Sequence, residues 1–272
     1  KDMGFKRLEA DDFVVSAQAQ TQTCWTGNLP TLTSFFTQSS QVVGASGEYY
    51  VTVFNENPTG SNAEAQFEIA YGNETGGGTY DYNHSAVPGV SPSKTIYGQY
   101  RTLVLEDENS SFSFGGVTGS SIYALSIERS RYKQSLFPGS LNLRLTNGSQ
   151  TLNLTDNSNM VSVPEYYGTM RAYQVISGSN GKSYDSDTGG TGYTTLNGSY
   201  GLFLPDIGTI LLNGNALDLE NAEGISLVTD QAENSPGANP VKLFNVINAG
   251  QSFGLNSEET ITSDFVFVRT RN

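Results

Sequence analysis

The chain contains one histidine, His84, and one cysteine, Cys24, so any nucleophile-and-base chemistry must be built from these two or from carboxylates. His84 stands in a Gly/Pro-rich stretch with no neighbouring Cys and no Gly-x-Ser-x-Gly turn, and reads as an ordinary loop residue. Cys24 precedes Trp25 and has no basic residue close by in sequence to lower its pKa. It reads as a small buried residue beside an aromatic anchor. A single Cys and a single His also argue against zinc and against a disulfide within the chain.

Carboxylate chemistry has two candidate positions. Asp187-Thr188-Gly189 matches the letters of an aspartic-protease site, where one carboxylate of a pair activates water. That site needs an apolar strand to deliver its Asp, yet the approach is GKSYDS and no second Asp-Thr-Gly occurs. Asp185, Asp187 and the following glycines also suggest an oxygen-rich calcium loop. An EF-hand needs a further ligand at loop position five and a Glu at position twelve, and those places hold Gly189 and Leu196. Gly76 to Gly78 lack the Lys-Ser/Thr and the strand-to-helix switch of a phosphate cradle. The sequence is expected to carry no catalytic residue, no metal and no cofactor.

One cluster points to binding instead. Arg129, Arg131, Lys133 and Arg144 place four of the 14 basic residues in a short stretch of an acidic chain. If Ser126 to Lys133 stays extended, the first three project from one face. Such a stripe is either a solvated strand face or a docking stripe for an acidic neighbour, setting orientation more than affinity.

The elements that would position these residues read as strands. Tyr and Phe number 15 and 14, Gly 30, and only 15% of residues are charged, a composition that favours pleated strands and turns over helices. In EAQFEIAY, Ala65, Phe67, Ile69 and Tyr71 alternate with Glu64, Gln66 and Glu68. With Tyr49 to Phe54 this predicts a hairpin across the NENPTGSN loop. In SLNLRLTNGSQTLNLT the leucines alternate on both sides of Asn147-Gly148, predicting a second hairpin.

Further strands are expected over Tyr97 to Leu105, Ser111 to Phe114 and Ser121 to Ile127. Tyr200 to Leu204 and Thr209 to Leu212 should flank a tight turn. Phe265 to Val268 is apolar on both faces and reads as a central strand or one covered by a partner. Gly72 to Ser93 reads as a long exposed loop, of a length usually ordered by a neighbour. Helix signals are confined to Leu217 to Glu223 and Val241 to Ile247, with Thr31 to Gln38 ambiguous. The expected fold is mainly β, with antiparallel sheets in β-sandwich-like units, long Gly-rich loops and few short helices.

A formal net charge of −13 disfavours nucleic acid and anionic membrane surfaces as partners. No apolar run is long enough to cross a bilayer as a helix, and the polar stretch from Lys1 to Asp12 lacks the apolar core of a signal peptide. The Asn-x-Ser/Thr sites at Asn73, Asn83, Asn109, Asn147, Asn153 and Asn197 therefore read as loop composition. Residues 1–48 form an expected N-terminal arm and packing segment. Two β-rich units follow at 49–135 and 136–272, or one domain continuous across both. Within the arm, Phe5, Leu8, Phe13, Val14 and Val15 are spread over polar sequence, a pattern suited to clamping a neighbour.

Several segments, in order over nearly the whole chain, resemble a family of virion structural proteins from contractile-tailed, T4-like phages of cyanobacteria. They are FKRLEADDFVVSAQ, CWTGNLPTLTSFFTQSSQ with SGEYYVTVF, FEIAYGN with GGG, YGQYRTLVL, IERSRYKQSLFPGSLNLRL, YQVISGSNG, SYGLFLPDIGTILLN and SDFVFVRTRN. No one motif is diagnostic; their co-occurrence carries the resemblance. It implies a non-enzymatic particle component of the tail or baseplate, assembled in the host cytoplasm. Its partners would be other virion structural proteins and further copies of itself. The expected subunit-contact residues are Phe5, Phe13, Val14, Trp25, Arg129, Arg131, Lys133, Arg144, Phe265 and Phe267. Two other readings are a receptor- or glycan-binding module using Tyr80, Tyr82 and Tyr193, and a hydrolase built on Asp185 or Asp187.

Overall fold

The computed structural model describes residues 13–38, 49–76, 91–184, 197–220, 223–231 and 238–266. His84, Tyr80, Tyr82, Asp185, Asp187, Tyr193, Phe5 and Phe267 lie outside them. In chain order the first strands are β1 (Phe13–Thr23), β2 (Thr31–Leu32), β3 (Tyr50–Phe54) and β4 (Ala65–Asn73). Helix α1 (Pro92–Leu105) precedes β5 (Phe112–Phe114), β6 (Val117–Gly119), β7 (Ser121–Ile127), β8 (Ser135–Leu136), β9 (Asn142–Asn147) and β10 (Gln150–Asp156). Then come β11 (Glu165–Tyr167), β12 (Met170–Ser179), β13 (Lys182–Ser183), β14 (Gly201–Leu204) and β15 (Thr209–Asn213). Helices α2 (Gly214–Leu217) and α3 (Ala238–Gly250) lead to β16 (Phe253–Gly254) and β17 (Asn256–Val266). Strand accounts for 45% of the structure and helix for 19%, so the chain is mainly β as its composition predicts.

Twelve strands form one antiparallel, curled sheet in the order β2-β16-β9-β10-β12-β14-β15-β7-β4-β3, with β11 and β13 also paired to β12. The curl follows from contacts between its two ends. Phe253 on β16 and Phe67 on β4 lie seven places apart in the sheet, yet their rings meet edge to face at 5.3 Å. Helix α3 packs on β9 and also on β4 and β3. Inside this curl lies the main core, with Trp25, Phe67, Ile69, Leu125, Phe203, Leu243, Ile247 and Phe253. A second core on the other face joins Tyr97 and Val104 of α1 to Phe112, Phe114, Ile122, Leu202 and Leu211. The central strands β7, β14 and β15 are therefore buried on both faces, which explains their continuous apolar runs. The sheet takes strands from both sides of residue 135.

Both predicted hairpins form. β3 pairs with β4, and β9 with β10 with Leu145 opposite Leu152. The turn of the second hairpin is Gly148-Ser149, one residue later than the Asn-Gly signal suggests. Gly148 alone takes the left-handed conformation, at φ 59°. The turn between β14 and β15 is a 3-10 turn, Pro205–Ile207, closed by Gly208.

Four expectations need correction. Tyr97 to Leu105 is not a strand but most of α1: Ser91 caps it by accepting a hydrogen bond from the Lys94 N–H, and Pro92 occupies its first position. Tyr97 and Val104 then fall on one buried face, so aromatic and β-branched content misled where the cap did not. The expected loop from Gly72 to Ser93 begins within β4 and ends within α1; 77–90 lie outside the described residues. Helix α2 ends at Leu217, where a helix was expected to start, while α3 extends the predicted Val241–Ile247 turn at both ends. The closing strand is central only at its start: β17 lies between β1 and β8 opposite Ser257 and Glu258, whereas at Phe265 it pairs with β1 alone, and 267–268 lie outside the described residues.

Candidate docking ribbon

β1 and β17 pair antiparallel over eleven consecutive positions, from Phe13↔Val266 to Thr23↔Asn256, without a bulge. At about 3.4 Å per residue this makes a ribbon roughly 37 Å long. β8 adds to it only at its root, opposite Ser257 and Glu258. Cross-strand neighbours share a face, so Phe13 sits beside Val266 on one side and Val14 beside Phe265 on the other. Ten of the eleven β1 residues are exposed. At the far end Phe13, Val15 and Phe265 are 47%, 66% and 53% exposed, so apolar side chains face solvent on both sides of the ribbon.

The root is fastened by one guanidinium. Arg171 on β12 donates from Nη2 to Asp206 Oδ1 at 2.6 Å and to Ser135 Oγ at 3.0 Å. It reaches Glu258 Oε1 on β17 from both Nη1 and Nη2 at 3.1 Å. The Arg171 backbone N–H also donates to Asp206, at 2.8 Å. The hydrogen bonds that the guanidinium donates to Asp206 hold the Arg171 pKa further above its ordinary value. Gln134 closes the attachment, its Oε1 accepting from the Thr260 N–H at 3.0 Å. Among the described residues, no body side chain hydrogen-bonds to β17 beyond Thr260.

Of the predicted contact residues, Phe13, Val14 and Phe265 are brought together on this ribbon, although the sequence reading places them apart, in an N-terminal arm and a closing strand. Trp25 is a correction. It is 2% exposed and packs between the rings of Phe67 and Phe253, because the chain turns into the core after Thr23. Cys24 beside it is buried, and burial pushes its thiol up to about 12 against the opposing charge of Arg131.

The basic residues do not form an extended stripe. β7 ends at Ile127 and Arg129–Arg131 is a 3-10 turn. Arg129 curls back over the Tyr132 ring and donates to the Tyr132 carbonyl. Arg131 pairs with Glu64 at 2.8 Å, and Glu64, held by Thr26 and by this charge, is shifted below the usual carboxylate range. Lys133 and Arg144 are exposed. Arg144 lines an open cleft of about 510 Å³ with Asn142, Asn153, Asn180 and Tyr184, away from Arg131.

Sequence reasoning missed the Arg171 anchor, whose partners stand 35 and 87 residues away. It also missed the pairing of the N-terminal arm with the closing strand, although their apolar stretches, Phe-Val-Val and Asp-Phe-Val, were a usable signal. Comparison with family models, curated proteins and solved structures finds no match to this chain.

Proposed function

We propose that the chain is a non-catalytic structural subunit of a phage virion, in its tail or baseplate, acting through protein–protein contacts. The observation that carries this reading is the β1/β17 ribbon, anchored at its root and exposed over most of its length. A two-stranded ribbon is at best marginally stable in water, and large apolar side chains at its tip gain from being covered. The segments that resemble virion proteins of contractile-tailed phages supply the setting, and two of them overlap the outer ends of the ribbon strands, at 13–18 of β1 and 263–266 of β17. Antibody against the chain, applied to purified particles of the phage that encodes it, should label the tail or baseplate in electron micrographs. Particles that carry none of the chain would overturn the reading.

A second reading, a glycan-binding module of the same particle, draws on the cleft around Asn142. There Tyr184 is 64% exposed near Asn153 and Arg144, offering an aromatic face beside amide and guanidinium donors. Titration with host-envelope glycans tests it, and no binding at millimolar concentration would remove it.

A further inference from the structure

The outer edge of β1 is built to accept another strand. Among the described residues β1 pairs only with β17, so its other edge presents backbone N–H and C=O groups without a strand partner at alternate positions along its eleven residues. Proteins usually blunt such an edge with Lys, Pro, a bulge or a short strand. β1 has no Lys and no Pro, its pairing is continuous, and it is one of the two longest strands among the described residues. An edge without these safeguards, projecting from a curled body whose own core is closed, is suited to strand addition.

Charge selects the occupant. The chain carries −13, so two copies repel unless they meet at a neutral surface. β1, FVVSAQAQTQT, has no ionisable side chain, whereas the described part of β17 carries Glu258, Glu259 and Asp264 and no cation. A copy-to-copy contact across β17 would set acidic groups close together; one across β1 would not. A partner chosen for opposite charge would in turn be expected on β17.

We propose that two copies of this chain associate about a two-fold axis by antiparallel pairing of their β1 edges, centred on Gln18, giving a continuous four-stranded sheet. In that register Ala17 of one copy faces the partner's Ala19, and Phe13 faces the partner's Thr23. Roughly ten new backbone hydrogen bonds form. The sheet then has the three or more strands that independent stability requires. The contact is isologous, which closes at two copies. It is independent of the virion assignment, since it concerns the purified chain alone.

The test is sedimentation equilibrium of the full chain at micromolar concentration, with expected mass twice the 29.2 kDa of one copy. Ala17→Lys with Ala19→Lys should give a monomer, because four like charges then lie side by side at the junction, and Ala17→Glu with Ala19→Glu should do the same. Mixing the two variants should restore a dimer containing one of each, a result that misfolded chains cannot give. Hydrogen exchange of unmodified chain provides a second readout, with β1 amides exchanging faster on dilution and β7 amides unchanged. A monomeric or higher-order wild type would overturn the proposal. So would Lys variants that remain dimeric, folded variants that fail to pair when mixed, or β1 exchange independent of concentration.

Discussion

Single side chains show how burial and hydrogen bonding divide the chemistry of this molecule. The Cys24 thiol, pushed up to about 12 by burial, has almost no thiolate at neutral pH, and the thiolate is the reactive form. The native chain is therefore expected to resist a thiol reagent at pH 8 and to react with one equivalent after denaturation; rapid native labelling would show that the segment around Trp25 opens. Arg171 acts in the opposite sense, as a charge satisfied from three sides. Arg171→Met leaves Asp206 and Glu258 without their shared cation. It should cost roughly 1–3 kcal/mol in urea unfolding, with faster hydrogen exchange concentrated at 256–260. Of these two, only the cysteine was legible in the sequence. Its apolar neighbour and lack of nearby bases are local facts, whereas the Arg171 network exists only once β12, β17 and the turn after β14 meet.

Elements were legible where the signal is local and ambiguous where burial is two-sided. The β9–β10 hairpin announces itself through leucines at every second position around Asn-Gly, and the structure moves the turn by one residue. α1 was hidden because Thr, Ile, Tyr and Val are as common in strands as here. Its true signals, Ser91 and Pro92, stand at the end of a stretch whose glycines and prolines read as loop. Ser91→Ala should cost about 1 kcal/mol by removing the acceptor for the Lys94 N–H, and Ser91→Asp should retain most of that stability. The end of α3 is held by contact instead. Gly250 lies so close to β9 that a Cβ there would run into the Arg144 carbonyl, part of the backbone. Gly250→Ala should destabilise the chain by roughly 1–3 kcal/mol, seen as a lower Tm, while Gly98→Ala, on an open face of α1, should be neutral or stabilising.

At the scale of the whole molecule, the sheet order could not be read from the sequence, because β16 joins β9 and β15 joins β7 across long separations. What the sequence does carry is the abundance of tyrosine, and the fold places several of them inside. Burial raises Tyr200, 4% exposed, to about 12, and raises Tyr97, Tyr100, Tyr132, Tyr167 and Tyr173 in the same direction. In the unfolded chain these phenols ionise near pH 10. Below that pH both states hold the proton and stability does not depend on these groups. Between about 10 and the raised native values the unfolded chain releases protons that the native chain keeps, so stability falls as pH rises. At about 1.4 kcal/mol per pH unit, Tyr200 alone removes roughly 2–3 kcal/mol by pH 12, and the others add to it. Even the Tyr200 contribution is appreciable against an ordinary domain's stability of about 5–15 kcal/mol. Unfolding should therefore set in above pH 10 as one cooperative step, with the phenolate absorbance at 295 nm rising together with the loss of far-UV signal. Gradual, independent titration of the tyrosines with the fold intact would show that these rings are reached by water without unfolding, and that the two cores are less closed than their packing implies.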